Sequence, residues 1–444
     1  MIRYFSRDEN IGKLGMWLFL LTCFSYPITA VPIASLGLPS TPINMTLKGI
    51  FCGISLFILL ICVFRKNEPL NKVHYVLFLF WLIYSIRLIH DISFAGVKLA
   101  DGSGNSEFVK NTAFQVYSFF FLSALIPSLA IIFTARYINL QSLVKHLIFF
   151  LVLANVEVAI YLYQNITMLG KDLFAERANI MNEEDVGRGV VLNTISIGYY
   201  GQQLAVNALA WLIVIRKNPL LRKMLLMLVL GLGFFNVMVA ASRSPLISLV
   251  LLTIVMLFYN FVKYAKSAKY LMNSIASVTL LTWIYFSVIQ PYTEGKDFAL
   301  LNRLIEFQTD RASGGKEYRD FAYASAWNDF VESPVIGKQF LGTFDNFYPH
   351  NFLLETLMAT GLIGGILMLI IIISLILRAI SSFGAEQKYQ FLALVFVFPK
   401  VALAMTSGCL FTDPDFWILL SFFLSLNFAG SSRPNQAVVT IAHN

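Results

Sequence analysis

Residues 352–377 read FLLETLMATGLIGGILMLIIIISLIL, with Glu355 as the sole ionisable side chain. A helix rises about 1.5 Å per residue, so about 20 apolar residues cross the hydrocarbon core of a bilayer. In lipid a helix satisfies its own backbone donors and acceptors, which irregular chain does not. The stretch is therefore expected to span a membrane. The same reading, carried outward, finds about twelve such segments. They are roughly 14–35, 46–64, 75–94, 113–135, 147–163, 190–215, 224–241, 246–263, 270–289, 352–377, 389–407 and 414–430.

Composition points the same way. Of 444 residues, 13% are charged and 57% are hydrophobic, and the mean hydropathy is +0.70. Soluble domains carry about 25% charged residues. A water-soluble fold of this composition would expose much of its apolar matter. That excludes an ordinary soluble enzyme, a disordered chain and a disulfide scaffold. Cys23, Cys52 and Cys62 fall in or near apolar runs and Cys409 beside an outer turn, so no disulfide framework is indicated. The first apolar run begins near Leu14, behind the charged stretch Arg3 to Lys13. It lacks a small-residue cleavage site and reads as a retained span.

The loops alternate in charge. Arg65, Lys66 and Lys72 lie in one, then Arg136 and Lys145, then Arg216, Lys217, Arg222 and Lys223. Lys263, Lys266 and Lys269 follow, then Arg378 and Lys388. Such loops are cytoplasmic by the positive-inside rule, which places both termini there too. The net charge of +8 reflects this asymmetry, and nucleic acid is not expected as a partner. The chain divides into spans one to nine at 1–289, an outer loop at 290–351, spans ten to twelve at 352–430, and a short polar tail at 431–444. The tail is expected to be disordered.

Polar residues kept in such a chain are costly and point to function by default. Arg243, in Ala241-Ser242-Arg243-Ser244-Pro245, stands alone between two apolar runs. Ser244 and Pro245 read as an N-cap and first helical residue, which puts Arg243 at the outer start of a helix. Free N–H groups there suit a phosphate. The alternative is a cation snorkelling to the interface. Arg303, Arg311, Lys316, Arg319 and Lys338 lie in the outer loop, where 315–332 predicts an amphipathic helix ended by Ser333-Pro334. Its cations either meet a ligand or are merely solvated on a helix lying along the membrane.

Tyr348-Pro349-His350-Asn351 leads into the span at 352. Histidine serves as a neutral base near pH 7 without perturbation. Beside a membrane it also serves as an interfacial hydrogen-bonder. An extended backbone is expected at His350, with Asn351 capping the helix or holding the ring and Glu355 one turn on. Gly361, Gly364 and Gly365 are expected as helix-packing residues. Arg87, His90 and Asp91 are spaced to pair locally. Lys400, inside a span, is either functional, snorkelling to the interface or paired with a nearby acid. Asp413 and Asp415 flank Pro414, and a turn-forming role suffices for them. No zinc spacing, phosphate-binding glycine loop or dinucleotide fingerprint is present. Without a dense carboxylate cluster, no metal and no cofactor are expected.

His350-Asn351 followed by Gly361-x-x-Gly364 resembles the signature of the bacterial O-antigen polymerase and O-antigen ligase superfamily. Arg319 ahead of Pro334-x-x-Gly337, and Arg243 in Ala-Ser-Arg-Ser, match two further arginines of that family, in the same order and on the same side. The likeness runs from about residue 225 to 377, while the first 220 residues agree in hydropathy alone. In the family the residues after the glycine pair are often more polar than the apolar run found here. The resemblance implies an all-α, GT-C-like polytopic fold in the bacterial inner membrane. It implies a metal-independent glycosyltransferase with His350, Arg243 and Arg319 catalytic and Asn351, Arg303 and Arg311 binding substrate. Donor and acceptor would be undecaprenyl-pyrophosphate-linked glycans on the periplasmic face. The chemistry fits: arginines suit a pyrophosphate leaving group and a histidine suits a weakly nucleophilic hydroxyl.

Within the resemblance, Tyr348-Pro349-His350-Asn351-x-x-x-Glu355 looks more like a polymerase of O-antigen or capsule repeat units, with a chain-length-regulating co-polymerase as partner. The alternative is a ligase that moves finished glycan to lipid A–core. A third class is a secondary transporter or lipid flippase, against which stands the absence of a visible repeat between the two halves. The topology has a direct check. Reporter fusions at Lys223 and Lys266 should read cytoplasmic and one at Gly314 periplasmic; a cytoplasmic reading at Gly314 would overturn the assignment of sides.

Overall fold

A computed structural model describes residues 8–65, 70–95, 97, 113–168, 180–181, 190–215, 219–264, 299–312, 318–343, 346–384 and 388–426. The helices are α1 (Asp8–Ser35), α2 (Ser40–Val63), α3 (Lys72–Ser93), α4 (Ala113–Tyr137), α5 (Leu140–Met168), α6 (Thr194–Val214) and α7 (Leu220–Ala240). Then come α8 (Arg243–Tyr264), α9 (Ala299–Ala312), α10 (Tyr318–Glu332), α11 (Phe352–Gly384), α12 (Lys388–Ser407) and α13 (Pro414–Ser425). Two short strands, β1 (Ile180–Met181) and β2 (Val190–Leu192), pair antiparallel before α6.

Among the described residues, 8 helices are long and apolar enough to cross a membrane: α1, α2, α3, α4, α5, α7, α11 and α12. The chain is a polytopic, predominantly helical membrane protein. Arg243–Phe258 of α8 and the whole of α13 are shorter apolar helices. The expected span at 270–289 and the tail at 431–444 lie outside the described residues.

Helix α6 has 21 residues yet is not among the 8, because it carries Gln202, Gln203 and Asn207. Its surroundings explain this. It packs against α5, α7, α8 and α12, and nearly every residue from Ile197 to Trp211 is buried. A helix enclosed by protein can keep polar side chains if each finds a partner. Gln203 Nε2 donates to the Phe396 carbonyl of α12 at 2.9 Å, and Gln202 Nε2 to Ser248 Oγ of α8 at 2.6 Å. Asn236 of α7 donates to Asn155 Oδ1 of α5 at 2.7 Å, and Asn155 donates to the Tyr200 carbonyl at 3.1 Å. Phe80, Tyr84, Phe416 and Trp417 form a buried aromatic cluster between α3 and α13.

Helix α11 corrects one expectation. Gly361 does not serve as a packing stripe; it breaks the helix, with φ 61° and ψ −156°. The turn after α10 fills the break. Leu362 N donates to the Pro334 carbonyl at 2.8 Å and Ile363 N to the Val335 carbonyl at 3.3 Å, while Lys338 N donates to the Met358 carbonyl at 2.8 Å. Gly337 sits opposite with φ 76°. A Cβ at Gly337 would strike the Ala359 and Thr360 backbone, and one at Gly361 would strike Val335 and Gly337. The two glycines are therefore two halves of one backbone contact. From α3, Arg87 donates to the carbonyls of Ile336 at 3.0 Å, Gly337 at 2.9 Å and Lys338 at 2.9 Å. Asp91 pairs with Arg87 at 3.2 Å, as their spacing suggested, and accepts from Phe340 N at 2.9 Å.

This arrangement makes a graded prediction. Gly337→Ala and Gly361→Ala each add a Cβ at a left-handed position with no room, and should destabilise the protein by about 2 kcal/mol or more. Gly231, in α7, has open space around it, and Gly231→Ala should be neutral or slightly stabilising. Melting temperatures of the three purified variants check this; equal values would remove the backbone contact as a structural constraint.

Candidate functional site

The described candidate residues collect around the last turn of α12. Ser407 ends that helix, and Gly408 follows it. Asn351 Nδ2 donates to the Met405 carbonyl at 3.0 Å. Its Oδ1 accepts from Leu353 N at 3.0 Å and Leu354 N at 3.1 Å, so it caps α11 as expected. Ser244 Oγ and Thr406 Oγ1 lie 2.6 Å apart. Arg319, in the first turn of α10, reaches Ser407 Oγ at 3.4 Å. Three consecutive residues of α12 thus meet α8, α10 and the start of α11.

His350 stands beside them. Its ring packs edge-on to Tyr348 at 4.6 Å, and Tyr348 stacks on Phe347 at 4.3 Å. Its Nδ1 is buried and has no hydrogen-bond partner. The expected extended backbone is not found: His350 is left-handed, with φ 56°. That turn is sparsely populated for a residue with a side chain, and such backbone persists where its surroundings enforce it. Here Asn351 is fixed from both sides, by the α11 cap and by Met405, and the preceding aromatic pair fixes Tyr348. Burial pushes the His350 imidazole down from its usual value to about 4; the Arg319 cation adds to this, and a hydrogen bond with the Ser407 backbone opposes it.

Arg243 is the first residue of α8, half-buried, one position before Ser244. Sequence had put the first helical residue at Pro245, so the helix begins two positions earlier. Ala241, between α7 and α8, is left-handed at φ 47°. Arg303 of α9 donates to the Ala241 carbonyl at 3.2 Å. It thus supports the turn that presents Arg243. The side chains of Arg311 and Lys316 lie outside the described residues.

Glu355 is fully buried. Its Oε1 accepts from Tyr84 Oη at 2.7 Å and its Oε2 from Leu410 N at 2.9 Å, which ties α11 to α3 and to the loop after α12. Lys400 pairs with Asp413 at 2.7 Å and lies 4.0 Å from Asp415. The two aspartates therefore do more than form a turn: they neutralise a cation within α12. Asp413 makes no side-chain cap of α13. Sequence reasoning gave Ser244 only an N-cap role and did not single out Thr406 or Ser407. Hydroxyls at helix ends are too common to stand out, and only their convergence gives them weight.

Compared with known proteins, the chain matches no family model and no curated protein. What the site can do follows from its own groups: a neutral imidazole with a free nitrogen, a guanidinium within reach of the same helix end, and a second arginine at a helix N-terminus. In a histidine-resolved NMR titration, His350 should remain neutral down to about pH 4. Arg319→Gln removes a cation that disfavours protonation, so the midpoint should move upward while burial holds it below 6.5. A wild-type midpoint at 6.5 or above would show the ring to be solvated.

Proposed function

We propose that this chain is an inner-membrane glycosyltransferase that polymerises undecaprenyl-pyrophosphate-linked O-antigen or capsule repeat units on the periplasmic face. About twelve spans, a GT-C-like arrangement and cytoplasmic termini belong to the same proposal. One observation carries it: His350 and Arg319 meet at Ser407, and Arg243 stands one residue from the Ser244–Thr406 contact. A base and two arginines in this neighbourhood suit transfer from a lipid pyrophosphate.

In the proposed reaction, the acceptor hydroxyl oxygen attacks the anomeric carbon of the donor glycan. The bond from that carbon to the pyrophosphate oxygen breaks, and undecaprenyl pyrophosphate leaves with the electron pair. The hydroxyl proton passes to His350. Arg319 and Arg243 stabilise charge developing on the leaving oxygens, by hydrogen bonds that are stronger for an ionised acceptor. The resting electrostatics support the assignment. Arg319 helps hold the imidazole neutral, and a bound pyrophosphate would offset that cation. The histidine would then become a stronger base when the donor is in place. Asn351 fixes the ring's neighbour, and Arg303 supports the Arg243 turn. A co-polymerase that sets chain length completes the expected partners.

The test uses purified protein, lipid-linked repeat units and a gel readout of chain length. His350→Ala and His350→Gln should each lower transfer about 10²- to 10⁴-fold, the usual contribution of a positioned base. Arg243→Lys and Arg319→Lys keep the charge but lose the forked donor, and each should lose roughly 10- to 150-fold, or about 1.5–3 kcal/mol. Near-normal turnover in His350→Gln would sink the general-base role. Transfer to lipid A–core without longer chains would favour the ligase.

A further inference from the structure

The segment joining α10 to α11 carries large apolar side chains on its surface. Phe321, Trp327 and Val331 of α10 are 47%, 50% and 56% exposed, and Val335 and Ile336 of the following turn are 56% and 59% exposed. Phe321 lines a hollow with Asn328 and Glu332, but the other four, close in sequence and outside the apolar runs, mark a contact surface.

The neighbouring helix identifies the occupant. Phe352–Ser382 is 31 residues long but breaks at Gly361, and the part after the break rises about 30 Å at roughly 1.5 Å per residue, the thickness of a hydrocarbon core. Burial along it shows where the lipid starts. From Phe352 to Gly361 its side chains are buried or half-buried, and none is exposed. From Leu362 onward an exposed apolar stripe runs through Ile363, Ile366, Leu369, Ile373 and Ile376. The stripe begins at the two residues whose backbone bonds the carbonyls of Pro334 and Val335. Val335 and Ile336 are therefore level with the first lipid-facing residues of α11. Trp327 is the residue type enriched where a membrane meets water.

We propose that Trp327, Val331, Val335 and Ile336 form an interfacial anchor that inserts among the acyl chains of bilayer lipid. The partner is the bilayer itself, and the anchor is a continuation of the lipid-facing surface of α11. Because α10 also carries Arg319, the anchor sets the height of that guanidinium relative to lipid headgroups. Arg87, which grips the carbonyls of 336–338, holds the anchor to α3. Glu332 and Asn328 share the exposed side of α10, so that helix lies with a polar edge still in water, as an interfacial helix does.

The experiment reconstitutes the full-length protein in phosphatidylcholine vesicles with one introduced cysteine bearing a bimane fluorophore. The native cysteines are all buried, and labelled wild type measures their background. The positions are Val331→Cys, Ile336→Cys and, as the water-facing control, Glu332→Cys. Lipid brominated on its acyl chains should quench most of the fluorescence at 331 and 336, and aqueous iodide little of it; the reverse is expected at 332. Quenching by iodide alone at 331 and 336, or equal bromolipid quenching at all three positions, would overturn the anchor. The readout needs no substrate, so it is independent of the glycosyl-transfer reading. An inactive protein with bromolipid-quenched labels would remove that reading and leave the anchor standing.

Discussion

The exchange of backbone hydrogen bonds between residues 334–338 and the broken helix at 358–363 is the constraint on which the outer part of this protein depends. A helix interrupted near a membrane leaves peptide groups unpaired, and each costs free energy unless another segment supplies the missing partner. The turn after α10 supplies it, and only glycine fits at the two points of closest approach. The contact fixes α10, which carries Arg319, against α11, whose start carries His350 and Asn351. Arg87 and Asp91 then clamp the turn from α3, and Lys338 pairs with Asp329 at 2.9 Å to hold the turn to α10.

The second organising feature is the end of α12. Lower in that helix, Lys400 is tied to Asp413 and Asp415 at the start of α13. Beyond its last turn, Glu355 binds Leu410 N. The helix end is thereby held on two sides, which allows Met405, Thr406 and Ser407 to act as fixed points for three other elements. Positional rigidity of this kind is what a site needs when its reacting groups come from distant parts of the chain. The backbone records the strain. Among the described residues, the left-handed non-glycine positions are Ala241, Asn346 and His350; Ala241 lies two residues before Arg243, and His350 is the histidine of the candidate site.

The membrane shapes both features. Among the described residues, the exposed side chains of α7 from Met224 to Phe234, of α8 from Ile247 to Phe258 and of α11 from Leu362 to Ile380 are apolar, while α6, enclosed by other helices, carries Gln202 and Gln203, which bond α8 and α12. Polar residues are tolerated where protein, not lipid, surrounds them, since lipid offers no hydrogen bonds.

Hydropathy alone determined the class of this protein. Runs such as 352–377 have no stable place in water, and their length matches a bilayer, so long apolar helices follow from residue type without any tertiary information. Local spacing likewise suggested the Arg87–Asp91 pair, and it offered an Asn351 cap and an acid for Lys400 among the alternatives, because each rests on neighbours in sequence or on the cost of a lone buried charge. The rest was hidden. Gly361 reads as a packing glycine until the turn from 334 to 337 is seen inside its helix break. Asp413 and Asp415 read as turn residues until Lys400 is found against them. His350 was expected to be extended, but the fixed points on either side of it force a left-handed turn. Thr406 and Ser407 carry no signal by themselves, and Ser244 reads only as a helix cap. These features arise from contacts between segments far apart in the chain, and only the packing of the helices brings their atoms within bonding distance.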